Sequence, residues 1–161
     1  MEHHRCYLKN TLHVTLLLLS LTACKKNKDH NDSNFINATP TAVITATIDG
    51  QDFQALSNDI TVVYDTLVNR YKITATPQGK KLTIELAAIQ VGTYPQDFDH
   101  CLISFEKDSV TYDGGNNPEG LVEITSVQSG KFSATFSATL KNLFTAQEVS
   151  ITNGIITTVP F

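Results

Sequence analysis

Tryptophan is absent from the 161 residues, methionine occurs once, and charged side chains make up only 17% of the chain. The missing indoles remove the usual stacking platform for sugars, leaving Tyr64, Tyr71, Tyr94 and Tyr112 as the aromatic faces that could replace it, or as ordinary core and sheet-face residues. Of the five histidines only His30 and His100 lie beyond the first 23 residues, and there is no Gly-x-Ser-x-Gly turn and no glycine-rich phosphate loop. A Ser-His-Asp nucleophile and a nucleotide-binding loop are therefore not expected. No apolar run reaches the roughly 20 residues of a bilayer-spanning helix, and no stretch of any length repeats with a helical period. The formal net charge is −4. An acidic chain of this kind argues against a nucleic-acid partner, because phosphate binding needs a basic surface.

The longest apolar stretch, within Thr11–Leu19, is preceded by Arg5 and Lys9 and followed by Ser20-Leu21-Thr22-Ala23-Cys24. A basic start, a short apolar middle and small residues at the end describe a secretory leader. Leu21-Thr22-Ala23-Cys24 resembles the lipobox of bacterial lipoproteins. That resemblance implies cleavage after residue 23 and a diacylglyceryl thioether on Cys24. Two or more acyl chains hold a protein stably to a membrane, at about 0.8 kcal/mol per buried methylene, and Lys25, Lys26 and Lys28 add attraction to anionic headgroups.

Loss of residues 1–23 would leave 138 of the 161 residues and move the formal charge to −5, because Arg5, Lys9 and Glu2 leave together. That length suits one domain. With Cys6 removed and Cys24 acylated, Cys101 has no partner for an internal disulfide. Its alternation with Ile103 and Phe105 points it into a core. Lys25–Pro40, KKNKDHNDSNFINATP, is polar apart from Phe35 and Ile36 and reads as a tether. As a flexible chain it would span about 20–24 Å. The expected organisation is a leader over 1–23, a lipidated tether over 24–40 and a folded domain over 41–161.

After Pro40 the period becomes two. Ala42, Ile44, Ala46 and Ile48 alternate with Val43, Thr45, Thr47 and Asp49, and Asp49-Gly50 then offers a two-residue hairpin turn. Such a turn pairs Ala46 with Phe53 and Thr47 with Asp52. Further inward sets are Ile60/Val62/Tyr64, Tyr71/Ile73/Ala75, Leu82/Ile84/Leu86/Ala88, Cys101/Ile103/Phe105, Val122/Ile124 and Phe132/Ala134/Phe136/Ala138/Leu140. Turn-formers such as Pro77-Gln78-Gly79 and Ser129-Gly130 separate them. Short alternating strands at regular spacing predict an all-β, antiparallel β-sandwich, immunoglobulin-like or related. Ile155–Phe161, with Pro160 near its end, reads as an edge strand open to an added partner strand.

Thr47-Ile48-Asp49-Gly50, Gly92-Thr93-Tyr94, Val110-Thr111-Tyr112-Asp113-Gly114-Gly115, Gly120-Leu121-Val122-Glu123-Ile124-Thr125, Gly130-Lys131-Phe132-Ser133-Ala134-Thr135-Phe136 and Val149-Ser150-Ile151-Thr152-Asn153-Gly154 follow one another in an order that resembles a family of small Bacteroidetes-type lipoproteins. The domain of that family has no assigned function. The likeness implies a lipid anchor and a β-sandwich and brings no catalytic residue. In such bacteria, lipoproteins sent to the outer face tend to carry acidic residues just after the lipidated cysteine. Lys25-Lys26-Asn27-Lys28 stand there instead, which implies an outer-membrane anchor with the domain facing the periplasm rather than the exterior.

Few residues carry chemistry. Asp113, Asn116, Asn117 and Glu119 supply oxygens among glycines and form either a calcium loop or a plain Gly/Asn turn. Asp97, Asp99 and His100 cluster before a strand, but alternation sends His100 away from Cys101. No catalytic set emerges and no cofactor is expected. The chain therefore reads as a non-enzymatic binding or interaction module, with the membrane as one partner through Cys24 and an envelope protein or glycan as the other. The alternatives are a small carboxylate-dependent hydrolase of envelope glycans using Asp97, Asp99 and Glu119, or a passive structural component of the envelope.

Overall fold

The alternation that begins at Ala42 becomes β1 (Val43–Ile48), which turns into β2 (Gln51–Leu56) through Asp49 and Gly50. Both turn residues take left-handed φ angles, 49° and 73°, so the turn twists with its strands. Ala46 lies opposite Phe53 and Thr47 opposite Asp52, the register that a two-residue turn requires. The hairpin is tied down at its tip, where the Asp49 carboxylate accepts the Ser150 N–H at 2.9 Å and the Asp49 N–H donates to the Ser150 carbonyl at 3.0 Å.

The protein is described from a computed structural model over residues 41–114 and 119–161. The leader and tether expected over residues 1–40 lie outside the described residues. A single turn of 3₁₀ helix, Ser57–Asp59, follows β2. The remaining strands are β3 (Ile60–Asp65), β4 (Arg70–Ala75), β5 (Lys81–Leu86), β6 (Gly92–Pro95), β7 (Cys101–Lys107), β8 (Val110–Asp113), β9 (Glu119–Gln128), β10 (Lys131–Lys141) and β11 (Glu148–Pro160). All eleven belong to one sheet, in which every pairing between these strands is antiparallel. The main path runs β2-β1-β11-β10-β8-β7-β5-β4-β3, and β9 branches from β10 with β6 on its far side.

The all-β antiparallel expectation holds. The sheet curls until it is nearly closed into a barrel-like shape, and its two halves face each other across one core. Phe53 of β2 meets Phe105 of β7 edge-on at 6.4 Å, and Phe161 meets Tyr71 of β4 at 5.9 Å. The path ends, β2 and β3, are consecutive in the chain and joined only by the 3₁₀ turn. That turn is fastened by the Ser57 hydroxyl donating to the Ala42 carbonyl at 3.2 Å and by Leu56 N–H donating to Asp59 at 3.1 Å.

The inward sets read from the sequence fill the core, except that alternation breaks after Leu86 as β5 ends, so Ile89 and not Ala88 is buried. Ile44, Ile73, Leu82, Ile84, Leu86, Ile103, Val122, Ile124, Phe132 and Leu140 are almost fully buried, and each such side chain contributes about 1.5–3 kcal/mol. Tyr64 departs from its set. On edge strand β3 it has no neighbour on one side, so it is about half exposed, stacks on Tyr71 at 4.8 Å and donates its hydroxyl to Asn69.

The expected edge strand is not one. β11 lies between β1 and β10 and pairs with both. Pro160 is tolerated there because Phe161 N–H already points toward β10, donating to Gly130 at 3.0 Å, which turns the Pro160 nitrogen to the other side. On that side β1 has ended, its last pair being Val43 with Thr157. No ladder bond is lost.

β11 carries two register shifts against β10, with Asn153 (φ 52°) and Thr158 (φ 49°) at the extra residues. Such bulges sharpen the local twist and help the sheet to coil. Between them Gly154 faces Phe136, and a Cβ there would lie 2.5 Å from the Phe136 carbonyl oxygen and 2.6 Å from its ring. Gly154→Ala is expected to lower stability by about 1–3 kcal/mol, the range for overpacking a filled core. An unchanged urea midpoint would show that the β10–β11 contact relaxes freely.

Candidate functional site

Because Ile84 and Ile103 point inward, their neighbours Glu85, Leu102 and Ser104 stand on the outer face of β5 and β7. With Asp113 and Gly114 at the end of β8, and Leu143 beyond β10, they line an open groove of about 370 Å³. Its floor is mixed in character. Leu102 and Leu143 are apolar, Ser104 offers a hydroxyl, and Glu85 is paired with Lys72 at 3.3 Å across β4 and β5. Both partners of that pair are partly exposed, so it adds little stability.

One wall of the groove is a loop held by a single side chain. Asn142 is buried as β10 ends. Its amide nitrogen donates to the Thr111 carbonyl at 2.9 Å, and its amide oxygen accepts Phe144 N–H at 3.0 Å, Thr145 N–H at 2.8 Å and the Thr145 hydroxyl at 3.0 Å. Its main chain closes the turn, with Asn142 N–H donating to Gln147 at 2.8 Å and Ala146 N–H donating to Asn142 at 2.9 Å. The backbone is thereby fixed, while Leu143 and Phe144 are 68% and 96% exposed. Apolar side chains on a preorganised loop can bind with little loss of conformational entropy. The sequence reading passed over this segment. Its signal was an asparagine followed by an apolar pair outside any alternation.

Gln96 is the second feature that sequence reasoning missed. It follows β6, is only 2% exposed, and donates its main-chain N–H to Gly120 at 2.9 Å. Its side-chain amide packs between Gly114 and Gly120, where a Cβ on either glycine would collide with it, and neither amide atom has a hydrogen-bond partner among the described residues. A buried amide left this way costs about 1–3 kcal/mol.

Of the candidate calcium ligands, Asp113 ends β8 and Glu119 begins β9. Asn116 and Asn117 lie outside the described residues, as does Cys24. Among the described residues no three His, Cys, Asp or Glu side chains come together as a metal-ligating group.

The Asp97–His100 cluster is a turn with its own internal use. The Asp97 carboxylate accepts Asp99 N–H at 2.9 Å, His100 N–H at 2.7 Å and the His100 ring nitrogen at 2.8 Å. Partial desolvation pushes the Asp97 carboxyl up, and the hydrogen bonds from His100 and Asp99 outweigh it and hold the group below the usual carboxylate range. Arg70 of β4 reaches this same turn, donating to the Phe98 carbonyl while its guanidinium lies 5.6 Å from the centre of the Phe98 ring. Of the four described tyrosines, Tyr71, Tyr94 and Tyr112 pack against the core and Tyr64 is about half exposed. Tyr94 also closes its turn by donating its hydroxyl to Gln90 at 3.0 Å.

Cys101 is fully buried and His100 is exposed, as alternation required. Burial, offset in part by Arg70, pushes the thiol up to about 12, so it is neither a nucleophile nor a ligand near neutrality.

Residues 40–160 match the family described as domain of unknown function DUF6252. The chain belongs to that family. No curated protein and no solved structure matches it. The family's own description names no reaction or ligand, so the reading rests on the surface just described.

Asn142→Ala is expected to cost about 1–3 kcal/mol or more, because it orphans the Thr111 carbonyl and the loop N–H groups together. A urea midpoint within error of the parent would show that the loop does not depend on this amide. The raised Cys101 pKa carries a signed pH dependence. The unfolded thiol ionises near 9.0 and the folded one near 12, so stability is retained below pH 9 and falls as pH rises from about 9 to 12. Cys101→Val should remove that part of the alkaline loss, and an identical slope in parent and variant would refute it.

Proposed function

We propose that this protein is a lipid-anchored envelope protein whose β domain binds another envelope component, a protein or a glycan, without catalysing a reaction. The observation that carries this reading is the loop fixed by Asn142, which holds Leu143 and Phe144 out into solvent beside the groove formed by Leu102, Ser104, Glu85 and Asp113. Exposed apolar side chains on a rigid support are a binding arrangement. Asp97, one of the three carboxylates considered for hydrolysis, is engaged by the backbone of its own turn.

The anchor in this reading is Cys24. Its lipids would hold the domain to the outer membrane through the Lys25–Pro40 tether, with the domain on the periplasmic side.

A photoreactive phenylalanine analogue placed at Phe144 in living cells tests both halves of the reading. With Cys24 intact, the membrane fraction should yield one discrete cross-linked species, and Leu143→Ser should lower its yield about tenfold, a loss of about 1.4 kcal/mol. No adduct, or an adduct indifferent to Leu143→Ser, rejects the binding surface. Cys24→Ser should move the protein from the membrane to the soluble fraction. Continued membrane retention of that variant rejects the anchor independently.

A further inference from the structure

Three strands of the described sheet keep one edge unpaired: β2, β3 and β6. Exposed edges invite other strands, and proteins usually blunt them with charge, proline or brevity. β6 has four residues and ends in Pro95, while β2 sets Gln51, Asp52 and Gln54 on exposed positions. β3 has no such guard. It reads Ile60-Thr61-Val62-Val63-Tyr64-Asp65, with its only charge at the last residue. Val63 is 59% exposed on the outer face, and Leu67 and Val68 are exposed in the turn that follows.

The free groups on this edge can be assigned. Thr76 N–H donates to the Asp59 carbonyl at 2.8 Å, so Asp59 faces β4, and with a period of two so do Thr61, Val63 and Asp65. Ile60, Val62 and Tyr64 therefore turn their N–H and C=O groups toward the open side. Along the same side, Ile60 and Val62 line an apolar opening of about 300 Å³ with Val159, Pro160 and Phe161.

We propose that β3 is the seam of a homodimer, pairing antiparallel with the β3 strand of a second copy about a two-fold axis through Val62. In this register Ile60 lies opposite the partner's Tyr64 and Val62 opposite the partner's Val62, so all the free N–H and C=O groups of the three residues are satisfied at once. The side-chain pairs agree with the backbone. Ile60 with Tyr64 is an aromatic and β-branched pair on the inner face, and Thr61 with Val63 covers the outer one. Asp59 and Asp65 meet only at the ends, and each carboxylate already accepts a bond from its own main chain, at Leu56 and Leu67. A self-complementary strand of this kind fits an isologous contact, in which each copy presents the same surface.

The test uses the full chain carrying Cys6→Ser and Cys24→Ser, in which the remaining thiol, Cys101, is buried. Hydrogen-bonded antiparallel partners lie about 5.5 Å apart at Cα, within disulfide range. Val62→Cys should therefore convert most of the protein to a disulfide-linked dimer under mild oxidation. Val63→Cys, whose opposite residue is threonine, should not. Val63→Lys places a charge on the exposed face of the edge and should shift the sedimenting species from dimer to monomer with the far-UV spectrum of the folded sheet unchanged, and its thermal midpoint should match that of the parent measured at dilutions where the parent is monomeric. A parent chain that sediments as a monomer up to about 1 mM, the weak limit of specific association, overturns the proposal. So does a dimer that persists in Val63→Lys, or one that cross-links equally well through Val63→Cys.

Discussion

The fold depends on one strand having two different neighbours on the same edge. β10 carries the longest unbroken alternation in the chain, and Phe132, Ala134, Phe136, Ala138 and Leu140 are all buried by it. Along one edge it pairs with β11 throughout. Along the other it pairs with β9 from Lys131 to Thr139 and passes to β8 at Lys141. A backbone edge can serve two strands only if they part from each other, so the sheet must split at that point. The split produces the branch bearing β6 and β9, and it lets the remaining strands curl back over the core.

A split sheet leaves a wedge in which ladder bonds are missing, and the side chains there answer it in different ways. Gln96 brings a side-chain amide, the nearest chemical equivalent of a peptide group, into the space between Gly114 and Gly120. Only glycine leaves room for it on either side. On the far side of the handover, Asn142 does the same for the end of β10, donating to Thr111 and accepting from the loop that follows. The two amides differ in outcome. Asn142 is satisfied at both ends and makes a rigid loop, whereas Gln96 is satisfied at neither among the described residues. The candidate binding surface lies where the sheet's own geometry required such a device.

The sequence disclosed what short-range physics controls. A two-residue left-handed turn leaves one register for β1 and β2, and alternation with period two separates core from solvent at Ile44, Ile73, Ile84, Ile103, Ile124 and Phe136. It did not disclose what depends on distant partners. Ile155–Phe161 looked like an edge because Pro160 cannot donate, yet its neighbour β1 simply stops short of that residue, a fact about a strand more than a hundred residues earlier. Tyr64 looked inward by parity, but parity gives the face of a strand and not whether another strand covers it. Asn142 and Gln96 escaped for a related reason. A buried amide and an exposed one are the same letter, and only the partner at Thr111 or the walls at Gly114 and Gly120 distinguish them.

The placement of polar chemistry bears on the choice between binding and catalysis. Hydrolysis by paired carboxylates requires one group free to donate a proton and another free to attack or activate water across a defined gap. Asp97 is held by main-chain and ring hydrogen bonds that favour its charged form, which is the opposite of the raised pKa a general acid needs. Cys101 errs in the other direction, neutral and enclosed. Asp97 and Cys101 are thus both shifted away from reactivity, while the apolar side chains of Leu143 and Phe144 are held open by a satisfied buried amide. Rigidly held apolar side chains beside a groove are what the proposed binding role would use, and the hydrogen bonds on Asp97 withdraw one carboxylate from the hydrolytic alternative.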